Sequence, residues 1–327
     1  MNFVSGNDSV CKPMYPSLYY LADTASLKAQ STFLLFNKFY LGSLVLAAIL
    51  GSFTAVGSQP VNRWVYTALA VVLIVGLIIL WVIRAKQDDK IWFDGRAVAE
   101  SVKTATWRFM MRVQPYHENS NAENLFLAEL KEIREARPNL AKHLAAVMST
   151  TGSAITEFMK QKRTVPLDER RTFYISDRLR EQKDWYAGKA NANAQSGARW
   201  FWVIAILQIV VVVLAIVQAV SGGLGFNYVS IVTTCAAAIA AWNQMKRHDE
   251  LAQSYALAAQ ELEALEAIAG TQVSESDFSQ FVAQVENSIS REHTMWCARR
   301  DIRLSRNSGR SNRVLKNPPN DHYDGMS

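Results

Sequence analysis

The sequence has little cysteine and no clustered metal ligands. Its three cysteines, Cys11, Cys235 and Cys297, are too few and too scattered for a disulfide framework. The five histidines are isolated from one another, and no cluster of cysteines and histidines has zinc-ligand spacing. The chain also lacks a Walker loop, a G-x-G-x-x-G after a strand, G-x-S-x-G and H-E-x-x-H. We therefore expect no catalytic residues, no metal, no cofactor and no enzymatic activity.

Charge is missing from four stretches of the chain. The 327 residues are 50% hydrophobic and 20% charged, yet residues 39–56, 64–83, 200–220 and 226–242 contain no charged side chain. Each has about the length, roughly 17–25 apolar residues, that crosses the hydrocarbon layer as a helix. No alternating β pattern of useful length occurs. The sequence therefore predicts an all-α membrane protein with two transmembrane helical hairpins.

Lysine and arginine are distributed unequally around these stretches. The two predicted hairpin loops carry one basic residue, Arg63, whereas basic residues precede and follow each pair of spans. Basic residues favour the cytoplasmic side. We expect a multi-pass protein with both termini and the middle segment in the cytoplasm.

Each pair of spans continues into helical segments with coiled-coil spacing. Proline is absent after the second span until Pro115, and glycine and proline are absent after the fourth until Gly270. We expect unbroken helices of roughly 70 and 60 Å, half of each a cytoplasmic stalk. In both stalks, residues spaced alternately three and four apart form a seam along one face of the helix, and this face is expected to pack on another helix. The partner is either the incoming segment of the same hairpin (18–36 or 173–199) or a second copy of the chain. The candidate stalk-packing or oligomerisation residues are Trp92, Arg96, Glu100, Leu251, Tyr255, Leu262 and Leu265. For Arg96 and Glu100, four residues apart, an ordinary ion pair on one helix face is the simpler interpretation.

Helical patterns also fill the rest of the chain. We predict soluble helices over 124–137, 139–148 and 153–161, and an amphipathic helix over 274–300. Ser274 and Asp277 have capping-box spacing at the start of the last helix. The predicted organisation is a first unit (1–113), a helical connector (114–166), a second unit (167–300) and a disordered basic tail (301–327).

Polar side chains lie inside three of the predicted spans. Gln208 is eight residues into the third span, roughly 12 Å deep. Polar groups at such depths face protein or water rather than lipid. Two roles therefore stay open, pore lining and interhelical hydrogen bonding. The candidates are Gln208, Thr233, Thr234, Ser43 and Ser52.

Several short motifs resemble the SLATT superfamily, the two-transmembrane effectors associated with bacterial SMODS and SLOG conflict systems. The motifs are Leu18–Gln30, Arg96–Arg108, Asp184–Ala190 and Glu292–Trp296. The first half of the chain resembles one SLATT subtype and the second half another, together covering about residues 15–300. The resemblance places a set of motif residues in the cytoplasm: Trp185, Tyr186, Lys189, Glu292, His293 and Trp296.

What the resemblance implies is a membrane effector of bacterial antiphage defence in the inner membrane. Such an effector would oligomerise to form a pore, or disrupt the membrane, when a sensor protein encoded nearby or a nucleotide second messenger triggers it. The expected partners are the lipid bilayer and further copies of the chain, with no specific nucleic acid. Two other functions stay open: a membrane-anchored scaffold or sensor without pore activity, and a housekeeping small-solute channel.

Overall fold

A computed structural model describes residues 14–53, 59–138, 140, 144, 153–221, 226–270 and 274–290. Within these ranges every regular element is helical, which confirms the predicted fold class. A π-helical turn, Ile175–Arg180, joins the helices Leu167–Tyr174 and Glu181–Val220. The helices are α1 (Ser17–Phe53), α2 (Gln59–Lys86), α3 (Asp88–Met110), α4 (Ala122–Glu135), α5 (Glu157–Thr164), α6 (Leu167–Tyr174), α7 (Glu181–Val220), α8 (Tyr228–Lys246), α9 (His248–Ala267) and α10 (275–290).

The long helix α1 packs against two different helices along its length. Its first half packs against α3, where Ser26 donates a hydrogen bond to the Trp92 carbonyl at 2.9 Å. Its second half packs against α2, where Gly76 leaves room for the Ser43 hydroxyl. α1, α2 and α3 therefore form one hairpin with a membrane part and a stalk part.

The second hairpin repeats this arrangement with α7, α8 and α9. The stalk part of α7 packs on α9, where the rings of Tyr186 and Tyr255 lie 5.7 Å apart. Nearer the membrane, Nδ1 of His248 lies 2.9 Å from the side-chain oxygen of Asn193. The apolar half of α7 then packs on α8. The two hairpins are thus built on one plan, each centred on a helix of 37 or 40 residues.

Three helical stretches among the described residues are long and apolar enough to cross a membrane: Ser17–Phe53 (α1), Asn62–Met110 (α2 and α3) and Leu167–Val220 (α6, the π turn and α7). They contain residues 39–53 of the first predicted span and the whole of the second and third; residues 54–56 lie outside the described residues. The fourth predicted span, 226–242, falls in α8, whose 19 residues measure about 28 Å. α8 is not among the three, and its last turns carry Asn243, Gln244 and Lys246. Its passage through the membrane stays a prediction.

The two hairpins meet along α1 and α8, which run in opposite directions. At one end Ser52 donates to the Asn227 carbonyl at 3.1 Å, and the rings of Phe53 and Phe226 lie 5.0 Å apart. At the other end the Lys38 ammonium lies 5.3 Å from the centre of the Trp242 ring. Phe53 and Phe226 therefore lie together at one end of the molecule, and the stalks of both hairpins lie at the other. α2 packs on the outer side of α1, and α7 on the outer side of α8.

The predicted unbroken helices are interrupted once in each hairpin. Gln87, between α2 and α3, has φ 51°, and Arg247, between α8 and α9, has φ 53°. The left-handed conformation costs a residue other than glycine roughly 1–2 kcal/mol, so neither break is expected from sequence. Acidic residues, which favour a helix N-terminus, fill the first turn after each break: Asp88 and Asp89 in α3, Asp249 and Glu250 in α9. The outgoing stalk helices α3 and α9 are therefore separate from the span helices α2 and α8.

The coiled-coil seam of α9 is filled within one chain. Leu262 and Tyr255 are buried, and the Tyr255 ring contacts Trp185 of α7 at 5.4 Å. Leu251 and Leu265 pack at the edge of the same core. Of the two partners expected for this seam, the incoming segment of the same hairpin is the one observed. Because Leu262 is already buried, self-association through it would need the hairpin to open.

The soluble helices follow the predicted pattern with shifted ends. α4 covers most of the predicted helix 124–137. α5 begins at Glu157, whereas the predicted helix 153–161 begins at residue 153. At α10, Ser274 Oγ accepts from the Asp277 N–H at 3.1 Å and the Asp277 carboxylate from the Ser274 N–H at 3.3 Å, which confirms the capping box. Most of the predicted helix 139–148 and the tail 301–327 lie outside the described residues.

Gly95 sets the distance between α1 and α3. A Cβ atom there would lie 2.9 Å from the Ala22 carbonyl oxygen and 3.0 Å from Ser26 Cβ. We expect Gly95→Ala to force the helices apart and lower the free energy of unfolding by about 1–3 kcal/mol. Gly188→Ala is the control, because a Cβ there meets nothing within 4 Å and the helix gains about 0.5–1 kcal/mol. Denaturant unfolding in detergent measures both; equal effects would contradict the close-packing argument.

Candidate functional site: a buried ionic cluster where the two halves of the chain meet

Glu286 of α10 is a fully buried carboxylate at the centre of the core at the stalk end of the molecule. Arg178 binds it through two parallel hydrogen bonds, Nε to Oε1 at 2.8 Å and Nη2 to Oε2 at 2.7 Å. The Tyr174 hydroxyl donates to Oε1 at 3.0 Å, and the Thr104 hydroxyl to Oε2 at 2.9 Å. The carboxylate thus accepts four hydrogen bonds from three side chains, which is what a buried charge requires.

The π-helical turn places the arginine of this cluster. Ile175–Arg180 interrupts the α-helical hydrogen bonding between α6 and α7, and Arg178 lies within it. Tyr174, at the end of α6, reaches the same carboxylate oxygen as Arg178. π turns of this kind are rare and are frequent at functional sites. Here Tyr174, just before the turn, and Arg178, within it, both bind Glu286.

Aromatic rings cover the other side of the Arg178 guanidinium. Its Cζ lies 5.9 Å from the centre of the Trp107 ring. The Trp107 indole N–H donates to the Tyr15 hydroxyl at 3.2 Å, and Phe173 stacks on Trp107 at 5.2 Å. The cluster therefore joins the segment before α1, the helix α3, the π turn and α10.

The electrostatics of the cluster favour a permanent ion pair. Burial alone would lower the pKa of Arg178, but the Glu286 carboxylate more than offsets this and raises that pKa above its usual range. Burial, reinforced by Glu286, raises the pKa of Tyr174 well above its ordinary value. At neutral pH the arginine stays charged and the tyrosine neutral. The arrangement is therefore suited to holding helices together rather than to moving a proton.

Two further buried arginines bind the C-terminal end of α3. Arg163 donates to the carbonyls of Phe109 at 2.6 Å and Tyr116 at 2.5 Å. Arg170 donates to the Met111 carbonyl at 3.2 Å and pairs with Glu275 of α10. Burial, followed by the charges of Arg112 and Arg170, lowers the pKa of Arg163 to about 10. Positive charge at a helix C-terminus is favourable, so these residues fix the end of α3.

The predicted stalk residues of α3 lie on the side nearer the membrane. The expected Arg96–Glu100 ion pair is present at 2.8 Å. The Trp92 ring lies 6.3 Å from Phe33 of α1, so it packs between the stalk helices. Between this pair and the Glu286 cluster lies Lys103, whose pKa is lowered by burial and then by the charge of Arg178. A band of charged side chains thus follows α3 toward the membrane.

The polar residues predicted inside the spans occupy different environments. Ser52 is buried and donates to the carbonyls of Ala48 and Asn227, and Ser43 donates to the Tyr40 carbonyl at 2.7 Å. Thr234 donates to the Ser230 carbonyl of its own helix at 2.8 Å. By contrast, Gln208 on α7 and Thr233 on α8 are exposed on the surface of the single chain. The structure does not bring these five residues together into one site.

The motif residues of α7 belong to the stalk core. Tyr186 is buried against Tyr255, and its neighbour Trp185 lies 5.7 Å beneath the Lys189 ammonium. The remaining motif residues, Glu292, His293 and Trp296, lie outside the described residues. No group of three or more His, Cys, Asp or Glu side chains able to hold a metal occurs in the part of the chain that the structure describes.

Sequence reasoning missed the Glu286 cluster, although a signal for it exists. Glu286 follows the apolar stripe of α10, four residues after Val282 and three before Ile289. A charge on the apolar face of an amphipathic helix needs a buried partner. The partner, Arg178, is 108 residues away, so pattern alone could not have identified it.

Comparison with protein families accounts for the division into two halves. Residues 16–171 match the SMODS and SLOG-associating 2TM effector domain 3, and residues 174–296 match domain 1 of the same description. The chain is a tandem SLATT-domain protein. No curated protein and no solved structure matches it. The residues predicted as a separate connector, 114–166, fall within the first match.

The buried cluster crosses the boundary between the two SLATT domains. Thr104 and Trp107 belong to the first domain, and Tyr174, Arg178 and Glu286 to the second. The arginines that bind the end of α3, Arg163 and Arg170, lie near the C-terminal end of the first match. The two domains therefore share one core at the stalk end of the molecule, with charged groups at their junction.

Proposed function

We propose that this tandem SLATT protein is a non-enzymatic membrane effector of a bacterial antiphage defence system. In this proposal several copies assemble in the inner membrane, with both termini in the cytoplasm, and open a pore or disrupt the bilayer. The trigger is a sensor protein encoded nearby or a nucleotide signal. The family supplies the setting, since its domains are described as effector domains associated with SMODS and SLOG proteins.

The position of Gln208 supports assembly of several copies. Its amide is exposed on α7, among the exposed apolar side chains of Ile206, Ile209 and Val212. An amide that deep in the bilayer has no route to the headgroups and needs protein or water beside it. Helix α7 lies on the outer side of the membrane helices of one chain. Another copy, or water enclosed between copies, is therefore the expected neighbour of Gln208.

The continuity of α7 supports a link from the cytoplasm to the membrane. This helix of 40 residues, about 60 Å long, begins at the π turn that holds Arg178 and ends beyond the third predicted span. A trigger that loosens or tightens the cytoplasmic core therefore acts on the same helix that carries Gln208. The stalks of both hairpins meet in that core, so both would respond together.

Bacterial cells carrying the gene with its genomic neighbours provide the test. After phage infection we expect membrane depolarisation and uptake of propidium before lysis, and neither in cells with a premature stop codon in this gene. Protection from phage without depolarisation would overturn the pore proposal in favour of the scaffold or sensor. Depolarisation that is independent of infection would favour the housekeeping channel.

A further inference from the structure

A groove opens between the two SLATT domains at the stalk end of the membrane helices. It lies between α1 of the first domain and α8 of the second and has a volume of about 260 Å³. Its walls are the side chains of Leu41, Val45, Ala238 and Ile239, and Lys38 and Trp242 lie at its edge. The groove is therefore apolar along its length and cationic at one end.

At the cationic end of the groove, two lysine ammonium groups lie close to the Trp242 ring. The Lys38 ammonium lies 5.3 Å from the centre of the Trp242 ring and the Lys246 ammonium 5.1 Å from it. In the described ranges, no carboxylate forms an ion pair with either lysine. The two ammonium groups repel each other, so an anion bound between them would be attracted by both.

The position of the groove identifies the kind of anion. Lys38 immediately precedes the first predicted span and Lys246 follows the fourth, so both lie at the level of the lipid headgroups. Basic pockets between membrane helices bind anionic headgroups, and tryptophan is enriched at this level. We propose that the groove binds one anionic phospholipid, with its phosphate between Lys38 and Lys246 and an acyl chain along α1 and α8.

Such a lipid would contact both domains at once. The direct contacts between α1 and α8 include Ser52 and Phe53 at the far end. The lipid would add a bridge at the stalk end, just before the break at Arg247. This inference is independent of pore formation, because it concerns only the seam between the two hairpins of one chain.

Native mass spectrometry of the full-length protein, with equimolar phosphatidylglycerol and phosphatidylcholine, tests the headgroup site. Each lysine near the membrane surface contributes about fivefold in binding, so the wild type should retain phosphatidylglycerol on the order of tenfold to thirtyfold better. Lys38→Gln combined with Lys246→Gln should remove this preference. Lys86→Gln is the control: Lys86 lies 5.1 Å from the Phe36 ring near the same level but outside the groove, and the preference should persist.

Gly42→Leu tests the acyl-chain part of the groove. Gly42 lines the groove, and a Cβ there meets nothing within 4 Å, so leucine should fill the space without disturbing α1. We expect this variant to fold and to lose retention of phosphatidylglycerol. A wild type without headgroup preference, or a double lysine variant that keeps it, would overturn the proposal. Displacement of the lipid by millimolar inorganic phosphate would also overturn it, because phosphate has no acyl chain.

Discussion

Glu286→Ala should lower the free energy of unfolding of the protein by about 3–5 kcal/mol, the usual cost of removing one partner from a buried ion pair. The Arg178 guanidinium, only 2% exposed, would lose both of its carboxylate hydrogen bonds. Tyr174 and Thr104 would each lose an acceptor as well. Urea unfolding in detergent, followed by tryptophan fluorescence, measures the change. Trp107 beside Arg178 makes the core itself report on unfolding.

A matched surface pair separates burial from charge. Arg171 and Asp168 form an ion pair at 2.8 Å, but the Asp168 side chain is 83% exposed. Exposed pairs contribute about 0–1 kcal/mol, so Asp168→Ala should have little effect. If Glu286→Ala destabilised the protein no more than Asp168→Ala, the cluster would not be a stabilising centre.

A double substitution distinguishes a lost pair from a lost volume. Arg178→Met combined with Glu286→Leu removes both charges and keeps much of the apolar bulk. Replacing a whole buried pair in this way is often close to neutral, so we expect the double variant to regain most of the stability lost in Glu286→Ala. A double variant as unstable as the single one would show that packing around Glu286, rather than its charge, decides the effect.

The outline of this fold is readable from sequence because its strongest signals are local. Uncharged apolar stretches identify the first three spans. The alternating spacing of four and three residues that includes Tyr255 and Leu262 identifies the seam of α9. The capping box of Ser274 and Asp277 is likewise a contact between residues three apart. Each of these features depends on a single segment, whose spacing carries the information.

The rest depends on pairings that no single segment contains. Gln87 and Arg247 adopt left-handed conformations although neither is glycine, so the breaks between spans and stalks have no glycine or proline signal. The acidic first turns after them, beginning at Asp88 and Asp249, are the sequence feature that could have indicated new helix starts. Likewise, Glu286 signals that a partner exists but not that it is Arg178.

Gln208→Leu should reduce dye uptake in phage-infected cells, whichever of its two roles is correct. As an interhelical hydrogen bond between copies, the amide contributes about 0.6–2 kcal/mol to each contact, so its loss shrinks the assembled particle. As a pore-lining group it keeps water in the channel, and leucine dries the constriction while the particle stays the same size. Leucine has similar bulk and is otherwise suited to the exposed apolar surface of α7.

Particle size and leakage measured together decide between these roles. Mass photometry of the purified variant gives the oligomer, and propidium uptake in infected cells gives the opening. Thr234→Val is the matched control, because the Thr234 hydroxyl is satisfied by the Ser230 carbonyl of its own helix. That variant should change neither quantity.

A smaller particle with unchanged uptake per assembled particle would assign Gln208 to contacts between copies, whereas an unchanged particle with reduced uptake would assign it to the water path. If neither quantity changed, the amide would face lipid without functional consequence, and the main structural support for assembly would be lost. The outcome depends on Gln208 more than on Ser52 or Thr234, because the single chain already supplies acceptors to those hydroxyls. We therefore expect a second copy, or enclosed water, to affect the exposed amide on α7 more strongly than the hydroxyls of Ser52 and Thr234.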